Sequence, residues 1–270
     1  MDSLFVQYNQ LLKAYQKTGG KDFDDQDMNN AIINATYHSN AIEGNTFTYE
    51  ETYSFLKTGK VIPNHDYTEH AEIQDLARAH KLLERFVKEK VPLSEGMILA
   101  LHNEVLRSSN PTKAGKYKTT SNRVGNYTTP YPSKAKELFS KAIESFQKKE
   151  AKLHPLQLSA EFHHDLVVIH PFADGNGRVA RLIINYVLLK NNQPFLNITI
   201  DEKPEYFKAI VNARESGSYE PFTKFLVDIA AKKLKARIQY LADNPQKKSP
   251  GDSAGEFNLL KEFKPEKIEF

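Results

Sequence analysis

Between Val179 and Leu189 the chain is almost wholly apolar. Val179, Ala180, Leu182, Ile183, Ile184, Tyr186, Val187, Leu188 and Leu189 spread around a helix in this register, interrupted only by Arg181 and Asn185. A helix that is apolar all round lies in a core and must be wrapped by other elements. Periodicity elsewhere identifies the wrapping. Met28, Ala31, Ile32 and Ala35 recur at three and four residues, one face of a helix that reaches Ser39 and Glu43. Gly44 suits the residue just past its end. Thr48 opens another helix with Glu51 as its capping-box partner, ending near Gly59. Ile73, Leu76, Ala77, His80 and Leu83 mark the buried face of a long helix over 66–87. Ser94 caps one that reaches Arg107. Further helices are expected over 133–149, 156–169, 177–190, 204–216 and 221–241. Only residues 115–132, rich in Thr and Tyr around Gly125-Asn126, read as a β-hairpin. Helix after helix with one hairpin specifies a mainly α domain, not a doubly wound sheet.

The 270 residues suffice for one large domain or two small ones. Net charge is +3, from 37 basic and 34 acidic residues, so the whole chain has no basic excess that would speak for nucleic acid. There is no cysteine, which excludes disulfides, thiolate metal sites and cysteine nucleophiles. No apolar run is long enough to span a membrane. The opening MDSLFVQ carries Asp2 and Gln7 where a signal peptide needs apolar residues, so a cytoplasmic location is expected. The last 28 or so residues turn polar, with Pro, Gly and Ser, and are expected to be a loose tail.

Chemistry concentrates at the start of the buried helix, in His170-Pro-Phe-Ala-Asp-Gly-Asn-Gly-Arg-Val-Ala-Arg181. Gly175 and Gly177 free the backbone around Asn176 to aim successive N–H groups at one point, an anion-binding nest. The helix dipole adds positive character there. Arg178 and Arg181 share a face and offer fork-shaped donors to phosphate oxygens. His170 stands at the lip of the nest, where a neutral imidazole can take a proton from a hydroxyl. Asp174 is a hard carboxylate suited to Mg²⁺ beside phosphates, and Phe172 is expected to point inward. Singly, each feature is commonplace: a turn, a capping histidine, a solvated arginine pair. Together at the mouth of a buried helix they read as a polyphosphate site, because idle arginines there would be costly to desolvate.

This window resembles the signature of the Fic (filamentation induced by cAMP) family, His-x-Phe-x-(Asp/Glu)-Gly-Asn-Gly-Arg-x-x-Arg. Every defined position matches: His170, Phe172, Asp174, Gly175, Asn176, Gly177, Arg178 and Arg181. The resemblance extends over about residues 35–229. His163 stands seven residues before the catalytic histidine, as is the family's habit. The 115–132 hairpin lies where the family keeps a flap that holds its target by strand addition. Tyr206 resembles a residue of the nucleotide-side helix, and Pro221-Phe222 and Phe225 the helix after it. The resemblance implies a Fic/Fido helical bundle that transfers AMP from ATP to a Ser, Thr or Tyr hydroxyl of a protein, releasing pyrophosphate. In that reading His170 is the general base and Asp174 holds Mg²⁺. Gly175, Asn176 and Gly177 hold the α-phosphate, Arg178 and Arg181 grip the outer phosphates, and Tyr206 lies on the nucleotide side.

Ser39-Asn-Ala-Ile-Glu43-Gly44 is the second informative segment. A glutamate in the last turn of a helix meets the unfavourable end of the dipole. The segment resembles the family's inhibitory motif, (Ser/Thr)-x-x-x-Glu-(Gly/Asn), placed N-terminally to the signature. The implied role is that Glu43 pairs with Arg181 and keeps it from the γ-phosphate. The expected organisation is a helical region over 1–90 with an inhibitory helix at about 27–44, a catalytic core over 91–241 carrying the flap, and a tail over 242–270. ATP and a protein bound along the flap are the expected partners, without nucleic acid or membrane, and a homodimer stays open. Two other readings stand beside adenylyl transfer. One is a Fic-fold enzyme that moves a different group or removes AMP. The other is a non-catalytic module that recruits a partner. His163-His164-Asp165 also contains a His-Asp pair of the kind found in metal-dependent phosphohydrolases, but no companion ligand set is evident. Arg214 falls near where some relatives place an adenine-contacting asparagine.

Overall fold

The computed structural model describes residues 2–17 and 25–243. They form ten helices and one two-stranded ribbon: α1 (Asp2–Lys17), α2 (Asp25–Glu43), α3 (Tyr49–Thr58), α4 (Tyr67–Lys88), α5 (Glu95–Val105), β1 (Arg123–Val124), β2 (Tyr127–Thr128), α6 (Pro132–Lys149), α7 (Pro155–Ile169), α8 (Asn176–Lys190), α9 (Lys203–Ser216) and α10 (Glu220–Asp243). The mainly helical expectation is met. The expected polar tail over 242–270 lies almost wholly outside the described residues.

By its internal contacts the chain divides into two compact units. One combines Met1–Asn30 with Ala231–Phe270, and the other is Ala31–Ala230. In the first unit Phe5, Tyr8, Tyr15, Leu234 and Leu241 are buried. Its helix α1 has no counterpart among the helices expected from sequence. Leu4, Phe5, Tyr8, Leu11, Leu12 and Tyr15 recur at three and four residues along it, so the helix was legible in the sequence.

The second unit is built around α8, which packs on α7, α4 and α5. Residues Val179–Ile184 and Tyr186–Leu188 are buried, as their all-round apolar pattern requires. Phe139, Phe146, Phe162 and Phe172 complete the core from α6, α7 and the loop before α8. Caps act where the residue types predict. Thr48 and Glu51 form a reciprocal capping box, Gly59 closes α3 in the left-handed region, and Asp66 and Ser94 cap α4 and α5.

Two boundaries differ from expectation. Helix α5 stops at Val105 rather than reaching Arg107. The fully buried Asp75 accepts the amides of Ser108 and Ser109 and the Ser109 hydroxyl, and this draws the chain out of the helix. The hairpin is also shorter than 115–132. Arg123 pairs with Thr128 and Val124 with Tyr127, around a turn at Gly125 with φ +56°. One further bond runs from Thr129 N to Asn122 O. Pro130 has no N–H to continue the ladder, and the other arm leaves it at Lys118, whose N–H donates to Pro171 O.

Candidate active site

The loop between α7 and α8 is set by backbone conformations that few residues adopt. His170 closes α7 at φ +53°, and Gly175 caps α8 at φ +75°. Both lie in the left-handed region, which histidine tolerates and glycine prefers. A Cβ on Gly175 would press on the His102 ring and on Val105 at 3.3–3.4 Å. Asn176 braces the loop: its carbonyl oxygen accepts from Phe172 N at 3.0 Å, and its amide donates to Phe172 O at 2.9 Å. Phe172 is fully buried and stacks on His102, with centroids 3.9 Å apart. The expected inward anchor is there. The Asn176 side chain makes both of these bonds, and its backbone N–H stands in the first turn of α8. No side chain caps α8, so the first amides of the helix lack a capping partner.

A carboxylate stands at that helix end. A Cβ on Gly177 would fall 2.5 Å from Glu43 Oε1 and 3.1 Å from a terminal nitrogen of Arg181. Only the missing side chain of Gly177 makes this approach possible. Arg181 Nη2 donates to Glu43 Oε1 at 2.7 Å and to Ser39 O at 3.0 Å, and its Nε donates to the Ser39 hydroxyl at 2.8 Å. Burial opposes the charge on Glu43, but the Arg181 and Arg178 guanidiniums outweigh it and hold the carboxyl below its usual range. The pairing of Glu43 with Arg181 is thus present in this conformation. Ser39 takes the same guanidinium from one turn earlier on α2.

Arg178 is held differently. Its Nη2 donates to Asp174 Oδ1 at 3.1 Å and its Nη1 to Glu72 Oε1 at 3.4 Å, while its Nε is buried without a partner among the described residues. Asp174 Oδ1 also accepts from Gly175 N at 2.6 Å. The Asp174 side chain is 40% exposed, the most open group of the loop's charged set. His170 Nδ1 donates to Val167 O at 3.3 Å, which leaves Nε2 as the basic nitrogen. Burial pushes the imidazole below its ordinary value. The Val167 carbonyl and the Glu43 and Asp174 carboxylates resist this, and Lys118 adds to it. The ring is therefore neutral at neutral pH.

Tyr206 is 1% exposed. Its hydroxyl meets His163 Nε2 at 2.9 Å and Arg181 Nη1 at 3.4 Å. It braces Arg181 from behind and offers no open surface. His163 is a buried support of Tyr206, kept neutral by burial and by the nearby Arg181, and the neighbouring Asp165 accepts the Tyr219 hydroxyl at 2.7 Å. Arg214 stacks its guanidinium over the Tyr127 ring of the flap at 4.7 Å. Among the described residues no group of three or more His, Cys, Asp or Glu side chains could hold a metal by itself.

Sequence reasoning missed four residues. Gly115 N donates to His102 Nδ1 at 3.1 Å, so His102 Nε2 carries the proton and donates to Asp174 O at 3.0 Å. Burial takes this imidazole down to about 4. Glu72 on α4 ties Arg178 to Asn45, just past Gly44. Lys118 and Asn122 join the root of the hairpin to the loop between α7 and α8. None of the four sits in a local motif. A lone polar residue on an otherwise apolar helix face, as at His102, is the one sequence signal that was available.

Residues 92–188 match the model of the Fic/DOC family. Two curated relatives are named protein adenylyltransferase Fic. The one from Drosophila grimshawi is 32% identical over 217 residues, covering 80% of this chain and 45% of that protein. The one from Nematostella vectensis is 31% identical over 210 residues, covering 77% and 49%. The chain thus spans about half the length of the curated relatives it matches. A Fic-domain-containing signalling protein from Bacteroides thetaiotaomicron shares the fold with a TM-score of 0.77 at 24% identity, over 87% of this chain and 97% of that one. Signature, fold and relatives agree, and through its domain at residues 92–188 the chain belongs to the Fic/DOC family.

Proposed function

We propose that the chain is a protein adenylyltransferase restrained by its own Glu43. It would move AMP from ATP to a Ser, Thr or Tyr hydroxyl of another protein. The observation that carries the reading is the Glu43 carboxylate at the mouth of α8, against Gly177 and within 2.7 Å of Arg181. A site that accepts one anion in this way, with a second buried guanidinium beside it, is suited to a polyphosphate. The names of the relatives, protein adenylyltransferase, support the choice of reaction.

The geometry suggests a division of labour. The α8 amides from Asn176 to Arg178 and the dipole behind them face the α-phosphate, where charge builds during transfer. Arg178 and Arg181 hold the outer phosphates. His170, neutral and with Nε2 free, takes the proton of the acceptor hydroxyl as its oxygen attacks phosphorus. Pyrophosphate leaves on the opposite side. The flap presents the acceptor segment, pairing with its two-residue strands. Asp174 fits a Mg²⁺ ligand: it is the exposed hard carboxylate of the loop, and its Oδ2 carries no hydrogen bond among the described residues. One carboxylate with substrate phosphates and water is a usual Mg²⁺ set, and the ion would offset charge on the phosphates.

With Glu43 in place, Arg181 is committed to α2 and the nest is shared with a carboxylate. ATP brings several further negative charges to the same point. The test is incubation of the wild-type and Glu43→Gly chains with labelled ATP in a lysate, with mass spectrometry of the labelled proteins. The reading requires an adenylyl increment on Ser, Thr or Tyr, stronger in the variant. A different increment would identify another transferred group, and no label in either chain would leave a binding module.

A further inference from the structure

Lys118 is 3% exposed. Lysine is almost never buried to this degree without a carboxylate. Here its ammonium meets two neutral oxygens, Asn122 Oδ1 at 3.0 Å and Thr129 Oγ1 at 2.7 Å, and among the described residues it forms no ion pair. Burial accordingly lowers its pKa. A methionine would fill the same space without that desolvation, so packing alone does not account for a lysine here.

The partners say what it holds. Asn122 and Thr129 stand at the two roots of the flap, immediately before β1 and after β2. Thr129 also donates from its N–H and its hydroxyl to Asn122 O. On the other side Lys118 N donates to Pro171 O at 3.0 Å, and Asn122 Nδ2 donates to Phe172 O at 3.4 Å. Pro171 and Phe172 directly follow His170. One residue therefore clasps both arms of the hairpin and hangs the clasp on the loop that carries the base. Beyond this clasp the ribbon has only two paired residues per strand, too few to fix its own position.

We propose that Lys118 is a positioning residue that joins the flap to the catalytic loop as one piece, so that an acceptor strand seated on the flap is in register with His170. The proposal rests on the adenylyltransferase reading for its consequence in catalysis, but not for the clasp itself. In this reading Lys118 acts through the flap and the loop, its ammonium being held by Asn122 and Thr129, and not by contact with nucleotide or acceptor. Its loss should disturb presentation of the hydroxyl and spare ATP.

The experiment uses the full chain carrying Glu43→Gly, with Lys118 intact or changed to Met or Arg, and with Asn122→Ala as a second lesion that leaves the lysine in place. Amide hydrogen exchange reads the clasp. The Thr129 amide should exchange about tenfold faster in Lys118→Met, the scale of a lost charge-assisted hydrogen bond, and faster also in Asn122→Ala. Amides of α8 should not change. Calorimetry with ATP should give the same affinity for all four chains. Transfer of label from ATP to lysate proteins should fall about tenfold in Lys118→Met and return in Lys118→Arg, which keeps the charge and the reach. Exchange at Thr129 within twofold of the parent in both lesions overturns the clasp. Faster exchange with undiminished transfer overturns the positioning role. No label from the parent chain would sink the adenylyltransferase reading instead, and the exchange rates would still decide for or against the clasp.

Discussion

The catalytic loop and the flap lie side by side and are built by opposite rules. From His170 to Arg181 the side chains are tied down by hydrogen bonds and ion pairs. Asn176 brackets Phe172, His102 grips Asp174 O, and both arginines end on carboxylates. The flap has four paired residues, Val124 is 41% exposed and Tyr131 76%. Positioned catalysis needs groups that do not move, since much of the barrier is met by orientation. Recognition by strand addition, as proposed for the flap, needs the reverse, an edge with unpaired amides and carbonyls. The contrast shows where change should be costly to chemistry and where it should alter the partner alone.

The largest expected effect comes from breaking the rigid side at its base. His170→Ala should lower transfer by about 10²–10⁴-fold, the usual contribution of a positioned base. ATP affinity by calorimetry should be unchanged, because the imidazole acts on the hydroxyl. Because burial lowers His170, the base stays unprotonated down past 6.5. The acid limb of the kcat/KM profile should lie below that value.

Next comes the anion grip. Arg181→Ala and Arg178→Ala, in a Glu43→Gly background, should each weaken ATP by roughly 10-fold or more, the scale of a lost charged hydrogen bond in a buried site. AMP should be affected less, since the arginines face the outer phosphates. Equal losses for both nucleotides would refute that assignment.

Acid should loosen the rigid side first. Burial brings His80 to about 3 and His102 to about 4, from 6.5. Both are neutral in the fold and bind protons in the unfolded chain between those limits. Stability contributed in this way is present above 6.5 and declines as pH falls toward 4, by at most about 1.4 kcal/mol per pH unit for each group. Melting curves across this range should drop steeply, and a His102→Gln chain should show a shallower slope. An identical slope would mean that His102 does not contribute.

The smallest effect on stability belongs to the flap tip. Tyr127→Ala removes the ring beneath Arg214, a contact worth about 0.5–1 kcal/mol at an exposed site. The melting temperature should hardly move while the set of labelled lysate proteins changes. A large loss of stability would contradict the view that the flap is peripheral to the core.

What could be read from sequence follows the same division. Residues 170–181 were legible because their parts lie within one helix turn or loop, where type and spacing determine geometry. The core helix was legible from its almost wholly apolar run, and the helices after Thr48 and Ser94 from their caps. His102, Glu72, Lys118 and Asn122 were not, because each acts on a residue 50 to 106 positions away or on a loop that only the fold brings near. The length of the hairpin was also misjudged. Thr and Tyr carry strand propensity over the whole segment, but Pro130 and the Lys118–Pro171 bond end the ladder.

The central claim is that Glu43 restrains the site by holding Arg181. Its most direct test is label transfer from ATP by three full-length chains: wild type, Glu43→Gly, and Glu43→Gly with Arg181→Ala. The account predicts a clear rise in the single variant and loss of that rise in the double, the non-additivity of a contacting pair. Equal labelling by wild type and Glu43→Gly, with equal ATP affinity, would contradict it.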